Sequence, residues 1–180
     1  MPNVAVVVGG AESVWAEVEL AKALCKEANR TPEFFIINDM IAVFPGEARA
    51  ITLHPAKLQQ WLDQRRNTKY PEPTQVWCHS LNRLVTNHTL DWGGSSGLFS
   101  IKIAREEDFK KILLCGVPMT VQDNHFVRHQ RWNACTAFQE PWKVHLHEIK
   151  PYVRSFSGWT AEQLGKPTVE FLAEYVVAAT

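Results

Sequence analysis

The sequence predicts an α/β fold, a Rossmann-like three-layer sandwich with a mostly parallel central sheet, and three observations carry that prediction. Short β-branched runs alternate with amphipathic helical stretches along most of the chain. The first such run, Asn3-Val4-Ala5-Val6-Val7-Val8, is continuously apolar, as in a strand buried on both faces. Glycine-rich or polar turns follow the strands, where open α/β sheets bind their ligands.

Each element follows from local pattern. The first strand stops at Gly9-Gly10, and Glu12 and Ser13 start a helix that carries Trp15, Val18, Leu20, Ala21, Leu24 and Cys25 at helical spacing. Asn29-Arg30-Thr31-Pro32 ends that helix, because the residue before proline disfavours the helical region. Residues 33–37 read as a second strand ending at Asn38-Asp39, and a helix between two parallel strands implies a right-handed crossover. The pattern repeats with a strand over 49–53, a turn at His54-Pro55 and a helix over 56–66 that turns Leu58, Trp61 and Leu62 inward. Residues 67–73 are a loop and 74–78 a fourth strand. Residues 81–92 form an irregular excursion, with a short strand expected at Arg83-Leu84-Val85. Gly93 to Gly97 opens a helix through Leu98, Ile101, Ile103 and Ala104, and 111–115 is a buried strand ending at Gly116. Residues 119–133 are polar and too long for an ordinary connector, so they read as a lid-like insertion or a loop holding a short helix. A helix over 142–149, a last strand over 152–156 and a closing helix over 168–177 complete one domain spanning 1–180.

Composition excludes several function classes. Lys plus Arg and Asp plus Glu number 19 each, so the chain lacks the overall field that draws in nucleic acid or anionic lipid, and neither is expected as a partner. The apolar run in residues 1–10 is too short for a signal-peptide core with its basic flank. No later stretch approaches the ~20 apolar residues of a membrane span, and a cytoplasmic protein is expected. Cys25, Cys78, Cys115 and Cys135 are widely separated, lack CxxC pairing and sit among apolar neighbours, which predicts buried or half-buried free thiols. No cofactor is indicated, and the oligomeric state is left open.

The candidate site is what the sequence places at the carboxyl ends of the strands. Gly9-Gly10-Ala11-Glu12-Ser13 and Gly93-Gly94-Ser95-Ser96-Gly97 are two glycine-rich, hydroxyl-bearing helix starts, whose backbone N–H groups and helix dipoles suit a phosphate, diphosphate or nucleotide. The first turn is neither GxGxxG nor GxxxxGK[ST], so a standard dinucleotide or P-loop site is not expected. The alternative is that Gly9 and Gly10 permit a tight turn and Ser13 caps a helix. Asn38 and Asp39 are candidates for hydrogen bonds to a ribose or base, or for an Asx turn. His54 is placed at the crevice edge, and Gly116 ends the strand over 111–115. Gln122-Asp123-Asn124-His125 through Arg128-His129-Gln130-Arg131 brings carboxylate, imidazole and guanidinium groups together, with His125 the preferred general base and His54 the second candidate. A solvated loop is the alternative reading of that segment. His145, His147 and Glu148 do not share one helix face, and no metal site is expected. Seven tryptophans add the possibility of an aromatic docking surface, although most are expected in the core.

These marks resemble a small Rossmann-like group that includes the bacterial sialyltransferase-like folds and related uncharacterised phage and prophage proteins. The matching features are Gly9 and Ser13 after the first strand, Asn38 after the second, the Ser96-Gly97 helix start, and Leu114-Cys115-Gly116-Val117. The resemblance implies a nucleotide-binding sheet and, for the glycosyltransferase members, a cytidine-monophosphate-activated sugar donor. Gly9, Gly10, Ser13, Asn38, Ser95, Ser96 and Gly97 would then line the donor pocket. The chain departs from that group at Ala11, where a second glycine is usual, and at Glu12, whose charge opposes a phosphate. Arg154-Ser155-Phe156-Ser157 stands where those enzymes carry a catalytic histidine. The expected function is therefore binding of a nucleotide or nucleotide-sugar, with glycosyl transfer as its enzymatic form. The alternative is a non-catalytic, phage-derived module that binds a small ligand or a protein.

Overall fold

The computed structural model describes residues 3–121, 124–127 and 129–174. Seven strands, β1 (Asn3–Val8), β2 (Thr31–Ile37), β3 (Arg49–Thr52), β4 (Val76–Cys78), β5 (Asn87–His88), β6 (Ile112–Cys115) and β7 (Val153–Ser155), form one sheet in the order β5-β4-β3-β2-β1-β6-β7. Every pairing is parallel. The α/β sandwich expected from the alternation of strand and helix patterns is the observed architecture.

The helices divide between the two faces. α1 (Val14–Glu27), α2 (Met40–Val43), α3 (Pro55–Asn67) and α7 (Val169–Ala173) pack on the face that receives Val4, Val6 and Val8 of β1. α4 (Ser96–Glu106), α5 (Gln139–Ile149) and Leu164 of α6 (Gly158–Leu164) cover the face that receives Ala5 and Val7. Covering on both sides is why β1 reads as a continuous apolar run. The strands from β1 to β5 progress in one direction across the sheet, whereas β6 lies on the other side of β1. The carboxyl ends of β1 and β6 therefore flank the topological switch point, where neighbouring connections diverge and leave a crevice.

Several elements differ from the sequence expectation, among them the short helix α2, which was not expected. The edge strand forms at Asn87–His88, not at Arg83-Leu84-Val85. Asn82 accepts from Leu84 N through Oδ1 (2.8 Å) and from Val85 N through its carbonyl (3.1 Å), which winds those residues into a turn. α6 was not anticipated; Thr160 holds it by donating through Oγ1 to the carbonyl of Val117 (2.6 Å) and contacting Ser155 Oγ (2.8 Å). α5 starts at Gln139, one turn before the expected start, after a 3-10 turn over Cys135–Phe138. The closing helix α7 begins after Thr168, whose Oγ1 accepts from Phe171 N (3.2 Å). The expected remainder of that helix, 175–177, lies outside the described residues.

α3 buries more than its apolar face. Arg65 is fully buried and donates to the carbonyls of Ile41 (3.1 Å), Phe44 (2.6 Å), Gly46 (2.7 Å) and Pro71. One guanidinium thus ties together the end of α2, the loop before β3 and the loop before β4. All four cysteines are buried, as expected, and no disulfide joins them among the described residues. Burial pushes the Cys25 thiol up to about 11, and burial, then Glu17 and Cys25, raise Cys115 well above its ordinary value. Among the described residues, no helix is long and apolar enough to cross a membrane.

Candidate functional site

A cavity of about 470 Å³ opens at the switch point. It gathers Gly10, Asn38, His54, Ser95, Ser96, Gly97, Gly116 and His125, which the sequence distributes over more than a hundred positions. Gly9, Ser13 and Asp39 do not line it. Gly9 is buried against the backbone of Gly116, and Ser13 is exposed at the start of α1 without capping through its side chain.

The first glycine turn is tightly braced, although Gly10 and Ala11 still line the cavity. Its amides are largely consumed within the protein: Gly9 N donates to Cys115 O (2.7 Å), Ala11 N to Gly116 O (3.1 Å) and Glu12 N to Asn124 O (3.0 Å). Phe126 N returns a bond to Gly10 O (2.6 Å), so the segment around His125 bridges Ala11 in antiparallel fashion. The His125 ring lies over Gly10, in the space a side chain there would occupy. The lid-like segment is thus an irregular strap, with a second antiparallel bridge between Asn124 and Arg131. Gln122, Asp123 and Arg128, which were read with it, lie outside the described residues.

His125 is well held. Its Nδ1 accepts from Val127 N (3.2 Å), and Nε2 faces Asp39 Oδ2 at 3.4 Å. Asp39 also accepts from Trp61 Nε1 (3.0 Å). Accepting at Nδ1 places the proton of the neutral ring on Nε2, toward the carboxylate. Proton abstraction by His125 requires release of one of these contacts.

The second turn is arranged as the sequence implies. Ser95 caps α4, its Oγ accepting from Leu98 N (3.3 Å) and from Trp142 Nε1 (3.0 Å). This leaves the amides of Ser96 and Gly97 at the positive end of the helix, against the cavity. Gly97 is needed for close packing, since a Cβ there would stand 3.0 Å from Val117 and 3.3 Å from Trp142.

Asn38 joins the two halves of the site. It adopts a left-handed backbone (φ 53°), and its Oδ1 accepts from Thr52 Oγ1 (2.9 Å) and Ser96 Oγ (3.0 Å). Those hydroxyls in turn accept from His54 N (2.9 Å) and Leu53 N (3.3 Å). Each hydroxyl has spent its one proton on Asn38, which fixes the amide orientation. The Nδ2 group is left as a donor at the cavity, with no hydrogen bond to the described residues.

The remaining lining supplies two contrasting ends. Lys57 and Arg131 are cationic, and no described lining residue is an aspartate or glutamate. Val117, Pro118, Met119, Trp132 and Phe138 form an apolar portion, the rings of Trp132 and Phe138 lying 5.2 Å apart. Sequence reasoning missed Lys57, Thr52, Trp132 and Phe138 as site residues. Lys57 was findable, being one helical turn after His54; the aromatic pair arrives through tertiary packing alone. His145 stacks on Trp92 (4.3 Å between centroids) and contacts Glu148, and among the described residues no cluster has the makings of a metal site.

No family model matches the chain, and no curated protein matches it either.

Proposed function

We propose that the switch-point cavity binds a nucleotide or nucleotide-sugar, in the cytoplasmic setting that buried cysteines without a disulfide among the described residues suit. The observation that carries this reading is the charge of the lining. Acids and bases are equal in number over the chain, yet the described lining has Lys57 and Arg131 and no carboxylate. Such a recess attracts an anion, and the Ser96 and Gly97 amides add donors at a helix N-terminus. The Asn38 amide favours a polar acceptor in mid-cavity, and Trp132 with Phe138 offers an aromatic surface for a base. The phosphate group is assigned to the α4 end, because the first turn is braced by the strap.

Glycosyl transfer is the enzymatic form of this proposal, with His54 taking a proton from an acceptor hydroxyl. A second reading, ligand binding without turnover, is favoured by the engagement of both His125 ring nitrogens. Isothermal titration with cytidine, uridine and adenosine mono- and diphosphates, and with their sugar conjugates, tests the shared claim. Saturable binding weakened by Lys57→Ala is expected; absence of heat with every compound overturns it. Slow hydrolysis of a bound nucleotide-sugar, lost in His54→Ala, separates the enzymatic form from the second reading.

A further inference from the structure

The two ends of the sheet are finished differently. The outer edge of β7 is covered, Ser155 N donating to the carbonyl of Gly165 just after α6 (3.0 Å). At the other end β5 pairs only with β4 among the described residues, and His88 is exposed. Thr89 N donates inward to Cys78 O (3.4 Å), so the alternation of a strand turns the N–H and C=O of His88 to the open side. An uncovered edge of this kind is a template for another strand. Residues 175–180 follow Glu174, which lies beside Lys111 ahead of β6. From β6 to β5 is five strand spacings, about 24 Å, farther than six extended residues reach. The strap bridges Ala11 just after β1, four spacings away.

The side chains around β5 suit a second copy of the same edge. A two-fold contact sets one patch against itself, so the patch must be self-complementary. Residues 80–95 carry one cation and one anion, Arg83 and Asp91, both exposed and on opposite sides of His88. Arg83 donates to Gln59 Oε1 (3.4 Å). The other charges that touch this region are paired: Asp63, which binds Gln59, with Arg66, and Glu106, which binds Thr89, with Lys102. Asn82 winds the chain into a turn, which shortens the five positions from Arg83 to His88 toward the three from His88 to Asp91. An antiparallel pairing centred on His88 therefore sets the two charges diagonally opposite, and a diagonal of about 7–8 Å is within an arginine's reach. Leu81 and Leu90, 68 % and 81 % exposed, flank the strand, an apolar display that marks interaction surfaces. We propose that β5 pairs antiparallel with β5 of a second copy across a two-fold axis at His88, so that the sheet continues between subunits. Arg83 of each copy then meets Asp91 of the partner subunit, and Leu90 is covered.

Sedimentation equilibrium of the full chain over a range of concentrations tests this proposal, with substitutions confined to exposed positions. The expected species is a dimer whose dissociation constant rises severalfold in Arg83→Asp and in Asp91→Arg, through like-charge repulsion, and returns toward wild type when the two reversals are combined. His88→Cys puts two thiols at the axis, where a hydrogen-bonded antiparallel pair holds its Cα atoms about 5.5 Å apart, within disulfide range. Mild oxidation should link that variant into covalent dimers and leave the wild type, whose cysteines are buried, unlinked. A wild-type chain that stays monomeric at every concentration overturns the proposal. So does a dimer indifferent to both charge reversals, one that the combined reversal does not restore, or one whose His88→Cys form fails to crosslink.

Discussion

The imidazole of His125 fills the space above Gly10, so the residue that braces the first turn and the glycine that admits it form one unit. The same ring faces Asp39 at 3.4 Å, and the chain on either side of it is tied to Gly10 and Glu12 through the backbone. Gly10→Ala is expected to expel the ring and destabilise the protein by about 1–3 kcal/mol, the usual cost of overpacking. Removing the ring as well should recover much of that loss. Urea denaturation of Gly10→Ala, His125→Ala and the double variant measures the coupling, and a purely additive double variant contradicts the contact.

Asn38 serves both binding and folding. Its left-handed backbone means that Asn38→Gly keeps the chain path while deleting the amide. Ligand affinity should fall by about 1–2 kcal/mol, and the melting temperature should fall too, because the buried Thr52 and Ser96 hydroxyls lose their acceptor. Asn38→Asp puts a carboxylate into a lining whose described residues include none and should abolish binding of an anionic ligand at low salt. Calorimetric titration of the two variants beside the wild type gives both results.

Lys57 and Arg131 approach the cavity from different segments and ought to act independently on an anion. Each alanine variant is expected to weaken nucleotide binding about fivefold to thirtyfold and to flatten its dependence on salt. Equal affinity in wild type and the double variant would remove the electrostatic basis of the proposed function.

Arg65 makes a structural prediction remote from the cavity. Four carbonyls depend on its guanidinium, and Arg65→Met leaves them without that donor in a buried setting. A loss of about 3 kcal/mol or more is expected by chemical denaturation. Arg65→Lys, with one compact donor group in place of a planar fork, should fall between the two.

The thiols govern stability in alkali. A Cys25 value raised from 9.0 to about 11 means that the unfolded chain loses this proton first as pH rises. The folded state then binds more protons than the unfolded one, so stability is full below about pH 9 and declines toward about pH 11. Cys25→Ala should reduce the slope of stability against pH in that window, and native wild-type protein should resist alkylation at Cys25 below it.

Much of this architecture was legible because it rests on local pattern. The unbroken apolar run of β1 announced two covered faces, and Asn29 to Pro32 announced the end of α1. Ser95 and Gly97 marked the start of α4; the cap follows from the Ser95 hydroxyl and the tight packing from the missing side chain at Gly97. The illegible parts depend on contacts between distant segments. β5 has only two residues, too few for any periodicity, and α6 is held by Thr160 reaching back to Val117. The turn at Gly9-Gly10 looked unbraced because nothing in its own sequence says that residues 124–126 return across it. Arg65 looked like the polar end of an amphipathic helix, and only the loops that wrap it make it interior.

Gly9 and Gly116 stand at the ends of adjacent strands, and a Cβ on either would run into the backbone of the other. Glu17 reinforces the junction, its buried carboxylate accepting from Gly116 N at 2.7 Å. A side chain at one position is not relieved by shrinking the other, which is already as small as a residue can be. In descendants of this sequence the two sites should therefore be inherited as a linked pair, and a lineage that replaces either must first have moved its strands apart.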